Sequence, residues 1–229
     1  MRSDLVRCLF VLLAAAMLAA APANADESLV FISAFAPAEE GAIHAFRLDC
    51  QSGRLTPVSR TADVENPFFL AVSPGQKFLY AIHARKFGGK EHEEVAAYAI
   101  AARTGQLTLL NRQSTLGSAS CYLAVDATGK TLLVANYATG SVASLPVRDD
   151  GSLDEAASFF QHAGASVDPA RQAGPHAHSI VASLDNRFAY AADLGLDELL
   201  IYRLDAARAT LAPNQTPRAK TPPGAGPRH

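Results

Sequence analysis

Phe68-Phe69-Leu70-Ala71-Val72-Ser73-Pro74, running on to Phe78-Leu79-Tyr80-Ala81, is the first of three stretches that align without gaps. The second is Cys121-Tyr122-Leu123-Ala124-Val125-Asp126, running on to Thr131-Leu132-Leu133-Val134-Ala135. The third is His178-Ser179-Ile180-Val181-Ala182-Ser183, running on to Phe188-Ala189-Tyr190-Ala191-Ala192. In each, a short apolar run meets a polar turn (Ser73 to Lys77, Asp126 to Lys130, Ser183 to Arg187) and a second apolar run follows. Pro74, Gly75, Gly129, Asp185 and Asn186 supply turn chemistry, so each stretch reads as a β-hairpin.

A second marker recurs between the hairpins. Gly53-Arg54-Leu55, Gly105-Gln106-Leu107 and Gly151-Ser152-Leu153 each follow a strand-like run, and Ala209-Thr210-Leu211 is a weaker fourth copy. The runs before them are Ala42 to Leu48, Val95 to Ile100, Ser141 to Val147 and Glu198 to Leu204. Each unit therefore holds about four short strands in roughly 50 residues, the content of a β-propeller blade. The expected fold is all-β, with about four four-stranded blades. Glu94 to Arg103 is Ala-rich and favours helix on propensity alone. Its counterparts carry Val, Leu, Ile and Tyr in strand-like positions, and the repeat assigns it to a strand. Gly88 to Glu93 then reads as an exposed, charged loop in the second blade.

The N-terminus reads as an address. Arg2 and Arg7 give a basic start, Leu9 to Ala21 is almost wholly apolar, and Ala23-Asn24-Ala25 is a small-x-small cleavage site. These features predict a signal peptide over 1–25 and a mature domain over 26–229, periplasmic or secreted, with no membrane segment after cleavage. With 20 basic and 22 acidic residues the formal charge is -2, which excludes the electrostatic footprint of a general nucleic-acid binder. Cys8 goes with the signal peptide. Cys50 and Cys121 fall in different units, and both are expected to be unpaired and buried.

The repeat also points to chemistry. Phe68, Cys121, His178 and Arg228 occupy the start of successive innermost strands, and His83, Asn136 and Asp193 the end of the strand that follows. Both places approach the central channel of a propeller. The first set changes from apolar to ionisable along the chain and the second is polar throughout, unlike positions chosen by packing. A histidine titrates near neutrality and suits a general base, and an arginine forks two donors toward an anion. His176-Ala177-His178 puts two imidazoles on one strand face, but no third ligand stands at a diagnostic spacing, so no metal is read. His44, His92 and His162 fall in loops or outer strands and are read as chemically silent. No cofactor is called for.

Gly174-Pro175-His176-Ala177-His178-Ser179, Ala192-Asp193-Leu194-Gly195-Leu196-Asp197 and Pro222-Pro223-Gly224-Ala225-Gly226-Pro227-Arg228-His229 together resemble the lactonase family of seven-bladed propellers. That family includes the propeller-type 6-phosphogluconolactonases and is related to carboxymuconate lactonizing enzymes. The resemblance runs from about Leu29 to His229. It implies that His178 and Arg228 are catalytic and that a small-molecule lactone is opened to its acid; with the repeat positions beside it, Asp193, His176, His229 and Asn136 are read as substrate-binding, Asp193 orienting a histidine or binding a sugar hydroxyl. A muconate-type lactonizing isomerase and a non-catalytic binding platform are the alternatives. It also implies about four of seven blades, with the family's acidic partner beyond Arg228. Such an open fan would leave sheet faces and edges uncovered, and is expected to fold poorly alone or to close by association with a second copy.

Overall fold

The computed structural model describes residues 27–37, 40–89 and 91–229. The expected signal peptide, with Cys8, lies outside the described residues.

Among the described residues, fifteen strands form four antiparallel sheets. The first holds β1 (Glu27–Ala34), β2 (Ala42–Asp49) and β3 (Leu55–Ala62). The second holds β4 (Leu70–Val72), β5 (Phe78–His83), β6 (Glu94–Ile100) and β7 (Leu107–Ser114). The third holds β8 (Ser120–Val125), β9 (Thr131–Asn136), β10 (Ser141–Pro146) and β11 (Ser158–Gln161). The fourth holds β12 (Ala177–Ala182), β13 (Phe188–Asp193), β14 (Glu198–Asp205) and β15 (Thr210–Lys220). Each sheet runs in simple up-and-down order. Strands β4, β8 and β12 lie side by side from sheet to sheet, with β8 between the other two. This is the radial arrangement of propeller blades. The first blade departs from the expectation, with three strands among the described residues instead of four.

Period-2 alternation explains why the blades stack. Successive side chains of a strand point to opposite faces. On β5, Leu79 and Ala81 pack with Ile43 and Val64 of the first blade, while Tyr80 and Ile82 pack with Leu132 and Val134 of the third. On β9, Leu132 and Val134 face the second blade, and Leu133 and Ala135 face Ile180 and Ala191 of the fourth. Both faces of a middle strand are thus buried, which is why these runs read as continuously apolar. The same rule settles the Ala-rich segment. On β6, Val95 and Ala97 enter one interblade core and Ala96 and Tyr98 the other. Small side chains there let two sheets approach closely, and pairing overrides the helical propensity.

The turns repeat more faithfully than the residues in them. Ser73 Oγ accepts the Phe78 N–H at 3.1 Å, Asp126 Oδ1 the Thr131 N–H at 2.7 Å, and Ser183 Oγ the Phe188 N–H at 3.0 Å. The left-handed residue of these turns is Gln76, Gly129 and Asn186, so in the second blade Gln76, not Gly75, takes that conformation. The second marker behaves likewise: Gly53, Gly105, Gly151 and Ala209 all have positive φ.

Candidate functional site

The innermost strands of the third and fourth blades each begin with a β-bulge. The β8–β9 register jumps from Ser120 to Tyr122, and the β12–β13 register from Ala177 to Ser179. Cys121 and His178 are therefore the extra residues, at repeat-equivalent points. A bulge frees its residue from the ladder and re-aims its side chain. The Cys121 thiol lies against the next blade, donating to the His178 carbonyl at 3.3 Å. Burial pushes its pKa up, helped by Glu93 and opposed by Arg228, to about 12.

His178 is half-buried within a row of rings. Its imidazole meets Tyr137 edge-on at 5.7 Å and His229 edge-on at 5.2 Å between centroids. Tyr137 stacks on His176 at 4.5 Å, and the His176 Nδ1–H donates to the Tyr137 carbonyl at 2.9 Å. On the other side His229 lies 5.6 Å from Tyr122, which packs on Phe69 at 4.6 Å. Three blades thus contribute to one continuous surface. The structure brings together His176, His178 and His229, with Arg228 close enough for its charge to act on His178 and Cys121.

Burial, then the charge of Arg228, then that of His229, holds the His178 pKa below its ordinary value. The ring is therefore uncharged near neutral pH and can accept a proton. Its Nδ1 is buried without a hydrogen-bond partner. Arg228 is exposed, and its guanidinium forms no ion pair among the described residues. An unpaired guanidinium beside a neutral imidazole leaves five donors for an anion.

Asp193 and Asn136 depart from the reading that they touch substrate. Both are fully buried. Asp193 Oδ2 accepts the His162 Nδ1–H at 2.6 Å, and Oδ1 accepts the backbone N–H of His176 at 2.7 Å and of Gly195 at 3.0 Å. Gly195 has no alternative there, because a Cβ would run into the Gly174 carbonyl. The Tyr202 hydroxyl donates to the other nitrogen of His162 at 2.9 Å. His162, read as silent and peripheral, is thus the buried centre of a Tyr–His–Asp chain that fixes the backbone of His176. Asn136 donates to the Thr115 carbonyl and to Ser141 Oγ, both at 3.1 Å, and accepts from Ser120 Oγ at 2.7 Å. A short polar side chain at a strand end is captured by neighbouring backbone and hydroxyls before it reaches the channel.

Two further expectations are corrected. Cys50 is exposed, in the turn after β2, where strand alternation no longer buries it. Glu93 is not a solvated loop tip. It is buried, with Oε1 accepting from the N–H of Gly88 and Ala119 and Oε2 from that of Ser120. It anchors the loop of the second blade to the first strand of the third. Sequence reasoning also missed Tyr137, whose only signal is its place directly after Asn136 at the end of an inner hairpin.

Radial antiparallel blades around a hub of imidazoles and one arginine define a β-propeller with a basic, ring-lined centre. The chain belongs to the lactonase family: residues 29–229 match its model, described as a 7-bladed beta-propeller. It is 34% identical over 187 residues to the 6-phosphogluconolactonase of Bacillus subtilis, covering 82% of this chain and 51% of that protein. It is 29% identical over 202 residues to the 6-phosphogluconolactonase of Formosa agariphila, covering 87% of this chain and 57% of that protein. Among solved structures, a periplasmic gluconolactonase of Pseudomonas aeruginosa superposes with a TM-score of 0.77 at 33% identity, covering 88% of this chain and 58% of that one. The chain spans about half the length of the curated relatives it matches.

Proposed function

We propose that this chain is part of a sugar-lactone hydrolase in which His178 is the general base and Arg228 stabilises the anion. The observation that carries this reading is an imidazole kept neutral at the blade hub, next to a guanidinium without a carboxylate partner among the described residues. Lactone opening needs a water that loses a proton and an oxygen that gains charge. His178 takes the proton as the water oxygen bonds to the lactone carbonyl carbon. The carbonyl π-electrons move onto oxygen, and Arg228 donates to that oxyanion. Collapse restores the C=O bond and breaks the ring C–O bond, and the ring oxygen leaves with the proton from His178. One water is consumed and a hydroxy acid is formed. His176 and His229 flank the base and contact the substrate's oxygens. Asp193 acts one layer behind them, through the His176 backbone.

The names of the relatives support a sugar lactone as substrate. The basic start, apolar run and small-x-small site, with a neighbour named as periplasmic, support hydrolysis outside the cytoplasm. The test is to incubate the full-length protein with glucono-1,5-lactone and with its 6-phosphate and to follow acid release. Catalysed release from either supports the hydrolase, and the preferred one defines the substrate. No release above the spontaneous rate from both overturns it and leaves a binding platform.

A further inference from the structure

Arg228 and His229 arrive on the loop that follows β15, and that loop is fastened at one point. Asp197 lies in the turn between β13 and β14 and is 4% exposed. Its Oδ1 accepts the Gly226 N–H at 2.7 Å and Gln172 Nε2 at 2.8 Å. Its Oδ2 accepts the Gly224 N–H at 2.6 Å and the Ser166 hydroxyl at 2.5 Å. Its backbone carbonyl accepts the N–H of Thr221 at 2.8 Å and its hydroxyl at 3.0 Å.

Four donors occupy the carboxylate's lone-pair sites, so this group has no capacity left for substrate. All four come from segments outside the strands. Gly224 and Gly226 belong to the loop that carries Arg228, and both have left-handed φ values of 80° and 56° that glycine tolerates. Ser166 and Gln172 belong to the segment that leads into His176, and Gln172 Nε2 also donates to the Leu194 carbonyl at 2.9 Å. One buried charge therefore joins the two irregular segments whose ends meet at His178. Removing it releases those segments from each other while leaving the sheet ladders intact.

We propose that Asp197 is the positioning residue of this site: its carboxylate locks the loop after β15 to the segment leading into His176 and so sets where Arg228 and His229 stand relative to His178. The catalytic consequence rests on the hydrolase reading above; the positioning does not.

The test follows the His178 imidazole by NMR titration in the full-length protein and in Asp197→Asn, Arg228→Ala and the double variant. The groups facing this ring are Arg228 and His229 of the loop and Tyr137 beyond β9, while the Cys121 thiol of β8 meets the His178 carbonyl. Losing a negative charge at Asp197 would by itself lower the His178 pKa. Displacement of Arg228 would raise it. The proposal expects Asp197→Asn to raise the pKa as Arg228→Ala does, with no further rise in the double variant. A pKa in Asp197→Asn equal to or below that of the unmodified protein overturns it. Should Asp197→Asn fail to fold, Ser166→Ala keeps the charge and removes one donor; a smaller upward shift supports the proposal and no shift overturns it. On turnover, Asp197→Asn is expected to lower kcat/KM about 10-fold to 100-fold, and by less than about 2-fold when Arg228 is already Ala. Equal losses in both backgrounds overturn the role through Arg228. If the unmodified protein opens no lactone, the hydrolase reading fails while the titration still decides this one.

Discussion

Cys121 and His178 occupy the same bulge in successive blades, and the thiol of the first donates to the carbonyl of the second at 3.3 Å. The bulge recurs in the third and fourth blades and is absent from the β4–β5 pair of the second, so each of these two blades offers the hub one re-aimed side chain. In the third blade that side chain seals the interface with the fourth. In the fourth it is the candidate base.

The two described cysteines should differ sharply in reactivity. The thiolate is the nucleophile, and the Cys121 thiol titrates only near 12. Cys50 is exposed. Brief alkylation of the native protein with iodoacetamide, followed by peptide mapping, should label Cys50 and spare Cys121 until denaturant is added. Native labelling of Cys121 would contradict the interblade contact.

His178→Ala should keep the fold, because the ring is half-buried and forms no hydrogen bond through Nδ1. Removal of a general base costs about 10²-fold to 10⁴-fold in rate. Acid release from the preferred lactone measures the loss, and circular dichroism checks the fold. Turnover within a few-fold of the unmodified protein would remove the assignment.

The pH profile follows from the depressed His178 pKa. A base must be unprotonated, so turnover should hold steady across neutral pH and fall only as the pH drops through that lowered value. Arg228 is one cause of the lowering. In Arg228→Ala the acid limb should therefore move to higher pH, alongside the loss of rate. A limb that stays in place would show that Arg228 does not act on this imidazole.

Substituting His162 should be costly without touching the hub surface. His162→Ala strips the Asp193 carboxylate of its side-chain donor in a fully buried place. Leaving a buried acceptor short of its hydrogen-bond donor costs about 1–3 kcal/mol. For a chain of this size each kcal/mol lowers Tm by about 2–4 °C. Thermal unfolding measures this; an unchanged Tm would mean that the Tyr202–His162–Asp193 chain contributes nothing.

Asp197 gives a stability signature in acid. Burial alone would raise its carboxyl, but hydrogen bonds from Ser166, Gly226, Gly224 and Gln172 outweigh this and bring it from 3.8 to about 2. A carboxylate with a depressed folded pKa stabilises the fold above its unfolded value and loses that contribution as the pH falls through the folded one. The gap in unfolding free energy between the protein and Asp197→Asn should be full at pH 5 and close toward pH 2. Urea unfolding across that range tests it.

The blades were legible because their signals are local. The aligned hairpins at Phe68, Cys121 and His178 mark β4–β5, β8–β9 and β12–β13, and the weaker copy at Ala209 proved to be the same left-handed turn as Gly53, Gly105 and Gly151. The hub was legible in part. His176, His178 and His229 do converge, because repeat-equivalent positions occupy equivalent points around an axis. Asn136 and Asp193 met the same criterion and are nonetheless buried in polar networks. Equivalence places a Cα, and the partners that claim the side chain lie elsewhere in the chain.

Repeated apolar runs, together with turn chemistry every few residues, were enough for the sequence alone to determine four blade-like units, their three aligned hairpins and the strand over Glu94–Ile100. Both signals act between near neighbours along the backbone. Only the tertiary structure decided that His162 holds Asp193, that Asp197 binds Gly224 and Gly226, and that the bulge turns His178 toward Arg228. Those are contacts between loops of different blades, set by where three-dimensional packing leaves a donor facing an acceptor, and no local pattern encodes them.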